Sequence, residues 1–189
     1  MGAVRFLIIL CVQLTVVPAT QDSRQTVGDP PSAIPDVVFI PTPRDVVGEM
    51  LRLAGVKEDD VVYDLGCGDG RIVVEAARKY GCRAVGYDID PLRVEAARER
   101  ARLAGVEKRV TIHEQDLFTA DLHDATVVTL YLSTKYNTQL VPQLKQLRPG
   151  ARVVSLLFEI PGTKPDQIVR VKSKVDGKIH VLFLWTAPL

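Results

Sequence analysis

Asp64-Leu65-Gly66-Cys67-Gly68-Asp69-Gly70 places three glycines, each separated by one residue, just behind a carboxylate, and a second carboxylate, Asp88, follows eighteen residues after Gly70. Without a Cβ, backbone at Gly66, Gly68 and Gly70 turns sharply, takes positive φ where needed and approaches a ligand more closely than any side chain permits. An acid at about that distance past a glycine loop accepts hydrogen bonds from both hydroxyls of a ribose. The dinucleotide fingerprint is Gly-x-Gly-x-x-Gly, which leaves a helix N-terminus free to hold pyrophosphate. Here the spacing is tighter and the loop begins with Asp64, which repels a phosphate and suits a cationic amino group. The favoured ligand carries adenosine and an amino-acid end but no phosphate, a description that fits S-adenosylmethionine. An ordinary tight turn and a nicotinamide or flavin site are the competing readings.

The elements that must position these residues follow from periodicity. Val62 to Leu65 is a strand that runs into the loop, and apolar positions 73, 76, 77 and 80 make Arg71 to Tyr80 a helix lying on a sheet. Ala84 to Tyr87 is a second, parallel strand that ends at Asp88. Upstream, Val46, Val47, Met50, Leu51 and Ala54 share one face of a helix over Arg44 to Gly55, which carries Phe39-Ile40-Pro41-Thr42-Pro43 across the crevice mouth or simply begins after a proline-stiffened entry. Downstream, Arg93 to Ala104 turns Val94, Ala97, Ala101 and Ala104 inward and leaves Arg93, Glu95, Arg98, Glu99 and Arg102 as a solvated face. Val110 to Asp116 is a third strand. Thr126 to Leu132 is apolar enough for a central parallel strand, whose end delivers Leu130, Tyr131 and Leu132 to the crevice. Tyr131 either walls a channel for an incoming acceptor or is a core tyrosine. A helix over Thr138 to Leu147 precedes a fifth strand, Val153 to Phe158, and Asp176-Gly177 is expected as a two-residue turn between Val169–Val175 and Ile179–Trp185.

Asp64 to Gly70 together with Asp88 resembles motif I and the following acid of class I, seven-stranded, S-adenosylmethionine-dependent methyltransferases. The likeness runs from about Val38 to the C-terminus. Phe39 to Pro43, Ala125 to Leu132 and Leu147 to Ser155 are similar to a branch that holds the archaeal broad-specificity protein-lysine methyltransferases with bacterial and mitochondrial relatives. The resemblance implies an α/β, Rossmann-like doubly wound sheet of seven strands in the order 3-2-1-4-5-7-6, with a terminal antiparallel hairpin. It also implies roles: Asp64 for the methionine end, Gly66, Gly68 and Gly70 for the backbone cradle, and Asp88 with Ile89 for the ribose. Asp116 and Leu117 would meet the adenine, and Thr42 and Leu130 would also touch the cofactor. A helix-capping role for Asp116 is the alternative. Archaeal relatives tend to carry Ser-His or a similar polar pair where this chain has Ser155-Leu156, which bears on the acceptor more than on the cofactor. A protein lysine amine is the leading acceptor, and a small molecule or lipid, or a binding module without catalysis, are the rivals.

The 189 residues suit one core, and 47% hydrophobic with 25% charged is ordinary globular usage. A formal net charge of +1 lacks the basic footprint that a nucleic-acid partner requires. Arg5 precedes an apolar run from Phe6 to Val17, shorter than the about 20 residues a membrane-spanning helix needs, and Val17-Pro18-Ala19 follows. This points to a signal peptide over 1–19, a polar proline-rich linker over 20–37 and a catalytic domain over 38–189, with export to periplasm or medium; membrane anchoring and a cytoplasmic protein are the alternatives. Cys67 and Cys82 are too far apart along the intervening helix for a disulfide. His113, His123 and His180 are scattered, so no metal site is expected.

Overall fold

A computed structural model describes residues 39–189; the expected signal peptide (1–19) and linker (20–37) lie outside the described residues. The chain begins with α1 (Arg44–Leu53), then alternates β1 (Val61–Leu65), α2 (Arg71–Tyr80), β2 (Arg83–Asp88), α3 (Pro91–Leu103) and β3 (Val110–Glu114). A short 3-10 turn (Leu117–Thr119), β4 (Val127–Leu130), α4 (Thr134–Leu144), β5 (Arg152–Leu156), β6 (Gln167–Lys172) and β7 (Ile179–Thr186) complete it. The seven strands form one sheet in the order β3-β2-β1-β4-β5-β7-β6, as the resemblance implies. β1 to β5 run parallel, and β7 is antiparallel to both β5 and β6.

Residues alternate between two cores, one on each face of the sheet. Val62, Val127, Val154 and Leu182 face α1, α2 and α3, while Tyr63, Leu65, Val128, Val153 and Trp185 face α4. Central strands therefore read as unbroken apolar runs, since both of their faces are covered. Asp64 interrupts this rule: β1 is buried throughout, and the aspartate sits in the interior of its last turn of strand. At the other end of the sheet Asp60 knits the frame. It pairs with the Arg152 guanidinium at β5, accepts from Thr126 Oγ1 at 2.6 Å and accepts from the Lys57 N–H at 2.7 Å. Burial pushes this carboxyl upward, but hydrogen bonds from Thr126, Lys57 and Arg152 outweigh it and hold Asp60 below its ordinary range.

Three local expectations change. β6 and β7 are joined through residues 173–178, with the Ser173 N–H donating to the Lys178 carbonyl at 2.9 Å, and no two-residue turn forms. The buried Ser173 hydroxyl takes up turn amides instead, accepting from Val175 and Asp176, and donates to Asp45 at the start of α1. α4 starts at Thr134 and ends at Leu144, because its apolar face is Leu140 and Leu144 and the chain then tightens into turns before Pro149. β5 stops at Leu156, since Leu157 takes φ 71° and leaves the strand.

Candidate active site

The carboxyl ends of the parallel strands open onto a cavity of about 590 Å³, bordered by Asp64, Gly66, Asp88, Ile89, Asp116, Leu117 and Tyr131 among others. Topology explains the place: β1 sits between β2 and β4, where the strand order reverses, and ligands bind at such a switch point. Backbone N–H groups of Gly66 and Cys67 both donate to the Tyr87 carbonyl at 2.9 Å, which pins the loop to β2. The glycines then divide their work. Gly66 borders the cavity, and a Cβ there would sit 3.1 Å from Leu132. Gly68 and Gly70 lie outside the lining: a Cβ on Gly68 would fall 2.1 Å from the Phe39 ring, and one on Gly70 would fall 2.8 Å from Ala97 Cβ of α3. The second glycine thus admits the N-terminal segment, and the third admits a helix.

Asp88 ends β2 with both oxygens aimed at the loop region. Oδ2 accepts from the Gly68 N–H at 2.8 Å and Oδ1 from the Asp90 N–H at 3.0 Å. Each oxygen retains acceptor capacity, so the held carboxylate can still receive hydroxyls. Asp64 is in a different electrostatic position. It is 3% exposed, its Oδ1 accepts from Thr129 Oγ1 at 2.7 Å, and no cation pairs with it among the described residues. Burial, reinforced by Asp88 and Asp69, overrides the Thr129 hydrogen bond and pushes its carboxyl up to about 7. A buried carboxylate that lacks a counter-ion is a site awaiting a positive charge.

Asp69 closes the loop's other side through Arg71 and Arg100, at 2.7 and 2.6 Å. Arg71 also donates to the Thr42 carbonyl, so the segment before α1 is tied to the start of α2. Phe39, from the same segment, lies under the Arg93 guanidinium at 4.1 Å from its ring centroid. Arg93 therefore leaves the solvated face assigned to it and borders the cavity. Phe39, Ile40 and the buried Thr42 line the mouth, which decides in favour of a segment that crosses it. The prolines at 41 and 43 left both readings open and only the resemblance favoured contact; the Phe39–Arg93 contact was not legible, because a helical arginine ordinarily points to water.

Just past the third strand, Asp116 has the capping role and also a place on the cavity wall. Its Oδ1 caps the 3-10 turn by accepting from the Phe118 N–H at 3.0 Å, and its side chain borders the cavity beside Leu117. Phe118 and Tyr136 stack across from it, with centroids 5.8 Å apart, and sequence patterning did not single out either one. Leu130 is fully buried in the α4-side core and is absent from the lining; Leu132 takes the place at the mouth. Leu130 is the last residue of β4 and pairs in register with Leu65, the last residue of β1, so it stays within the sheet, while Leu132, two residues farther on, lies past the strand end. Tyr131 does border the cavity, and burial, then Asp176, raises its phenol. Leu157 and Phe158, from the end of β5, complete the wall.

The known proteins this chain resembles include methyltransferases named for different acceptors. The profile of the ANTKMT methyltransferase domain matches residues 64–167. A protein-lysine N-methyltransferase of Saccharolobus islandicus is 43% identical over 157 residues, covering 82% of this chain and 96% of that protein. The mouse adenine nucleotide translocase lysine N-methyltransferase is 41% identical over 110 residues, covering 57% of this chain and 48% of the mouse protein, so the chain spans about half of that relative's length. Among solved structures, an RNA methyltransferase from Salinibacter ruber in complex with S-adenosyl-L-homocysteine has 47% identity and a TM-score of 0.74, covering 79% of this chain and 94% of that one.

Proposed function

Because this chain belongs to the ANTKMT methyltransferase domain family, we propose that it moves a methyl group from S-adenosylmethionine to the side-chain amine of a protein lysine. That it is an S-adenosylmethionine-dependent methyltransferase follows from the family; the lysine acceptor is our reading. One observation carries it. The cavity is built of two unlike halves, with the carboxylates Asp64, Asp88 and Asp116 at the ends of β1, β2 and β3, and Tyr131, Leu132, Ser133, Tyr136, Leu157 and Phe158 beyond β4 and β5. The charged half fits the donor and the uncharged half fits an amine that must arrive without its proton.

The donor fits the residues present. Asp64, buried and lacking a cation, matches an ammonium; Asp88, fixed by two backbone amides, matches ribose hydroxyls; Asp116 and Leu117 frame a flat group between strand ends. When bound, S-adenosylmethionine supplies a methyl carbon already activated by a positively charged sulfur, so that a C–N bond forms as the C–S bond breaks and the electron pair stays on sulfur. What the chain must do is hold the reactants in line, exclude water and receive the amine uncharged. A lysine amine has an ordinary pKa of about 10.4, and an apolar surround disfavours its ammonium form. Tyr131, Tyr136, Leu157 and Phe158 provide that surround, and Phe39, Ile40 and Thr42 line the same cavity. The proton is lost to solvent on entry, so no dedicated base is needed.

A second reading, an RNA acceptor, is favoured by the likeness to the Salinibacter ruber RNA methyltransferase. Against it stands a formal charge of +1, where phosphate contacts call for clustered lysine and arginine. Incubation with methyl-labelled donor and whole-cell extract, followed by separation of protein, RNA and lipid, decides. Label in the protein fraction, released as methyl-lysine on hydrolysis, is expected; label confined to RNA or lipid would replace the lysine reading.

A further inference from the structure

Leu157 is out of place by every ordinary criterion. It takes φ 71°, a left-handed conformation that non-glycine residues adopt at a cost, and it is the one non-glycine residue to do so among the described residues. The residue is 47% exposed and lies on the cavity wall. The Phe158 N–H donates to the Leu156 carbonyl at 2.9 Å, which makes Leu157 the centre of a three-residue γ-turn of the rare positive-φ kind.

The fold holds this turn from every side. The Leu157 N–H donates to the Val181 carbonyl at 2.8 Å, which fastens the residue to β7. Ser155 Oγ donates to the Phe158 carbonyl at 2.5 Å, and the fully buried Asn137 of α4 donates through Nδ2 to the carbonyls of Phe158 and Glu159 at 3.2 and 3.1 Å. Asn137 Oδ1 is left without a partner, so this amide is spent on the turn at the expense of its own oxygen. Strain maintained by several independent contacts at a cavity wall is a mark of function.

We infer that the γ-turn presents Leu157 as the specificity-determining contact for the acceptor, its isobutyl group packing on the aliphatic stem of the amine. The inference rests on the lysine reading above. Position supports it: β5 lies two strands from β1 in the sheet, about 10 Å at the usual spacing, on the side away from the carboxylates of β2 and β3. Ser155 and Asn137 are positioning residues, acting through the turn.

Leu157→Gly separates the roles, because glycine is at ease at positive φ and the residue replaced is half exposed. Reduced, carboxymethylated lysozyme serves as the lysine-bearing probe. Expected for the variant are an unchanged or higher Tm, an affinity for S-adenosylhomocysteine within about twofold of the parent, and a KM for the probe raised about tenfold. An unchanged KM, with methyl-lysine formed by both proteins, overturns the inference and leaves the lysine reading intact. A lower Tm with weakened S-adenosylhomocysteine binding also overturns it, by making Leu157 structural. No methyl-lysine from the parent overturns the lysine reading and this inference together.

Discussion

Asp64 costs the protein stability when its carboxylate is charged and unpaired, and on the proposed reading it is the group that holds the donor's ammonium. Its folded-state value, about 7, lies above the ordinary 3.8, so between these values the folded chain binds more protons than the unfolded one. Stability without cofactor therefore falls as pH rises from about 4 to about 7 and levels off above, by the linkage between proton uptake and folding. Cofactor binding runs the other way: pairing with an ammonium needs the carboxylate charged, so affinity rises as pH climbs through about 7. Asp64→Asn keeps a partner for Thr129 and removes the charge. At pH 8 it is expected to raise the Tm of the empty protein by several degrees while weakening S-adenosylhomocysteine binding at least tenfold, as read by thermal melts and calorimetry. That Asp64 and Asp88 both reach the cavity was legible from their spacing around the glycine loop. Leu130 was not correctly placed, since a strand end read from sequence does not say which of three consecutive residues reaches the mouth.

Elements show where one residue's freedom serves another's packing. Gly68 makes room for Phe39, which in turn lies under Arg93 of α3, so the cofactor loop, the segment across the mouth and a helix are interlocked. Gly68→Ala would drive a methyl group into the Phe39 ring at a φ of 53°. The expected result is displacement of the segment, a loss of about 2 kcal/mol in stability and at least tenfold weaker S-adenosylhomocysteine binding. Helices and strands came through from apolar periodicity, α2 to the residue at both ends. The β6–β7 loop did not, because Asp176-Gly177 carries the signature of a tight turn while the Ser173–Asp45 contact that widens it joins residues far apart in the chain. Leu157 was equally hidden: nothing in Ser155-Leu156-Leu157-Phe158 announces a left-handed residue, and only the Asn137 and Val181 contacts impose it.

At the scale of the molecule the sheet has a chemical end and a structural end. Asp60, Thr126 and Arg152 join β1, β4 and β5 at the amino ends of the strands, away from the cavity. Asp60→Asn leaves the partly buried Arg152 without its carboxylate, though still bonded to the Ala54, Gly55 and Thr126 carbonyls, so a loss of about 2 kcal/mol in denaturant unfolding is expected, with S-adenosylhomocysteine affinity unchanged at temperatures where the variant is folded. Since Asp60 sits below its ordinary value when folded, its stabilisation is present at neutral pH and fades as pH drops through the acid range. Strand order was available only through resemblance: alternation of strand and helix establishes a parallel α/β sheet, but many windings satisfy it.

The most direct test is to let the protein act on a cell extract with deuterium-labelled S-adenosylmethionine, map the label by tandem mass spectrometry, and repeat the reaction with Asp88→Ala. Label on lysine side-chain nitrogens, reduced at least tenfold in the variant at limiting donor, is the expected result. Label on other groups, or equal labelling by both proteins, would contradict it.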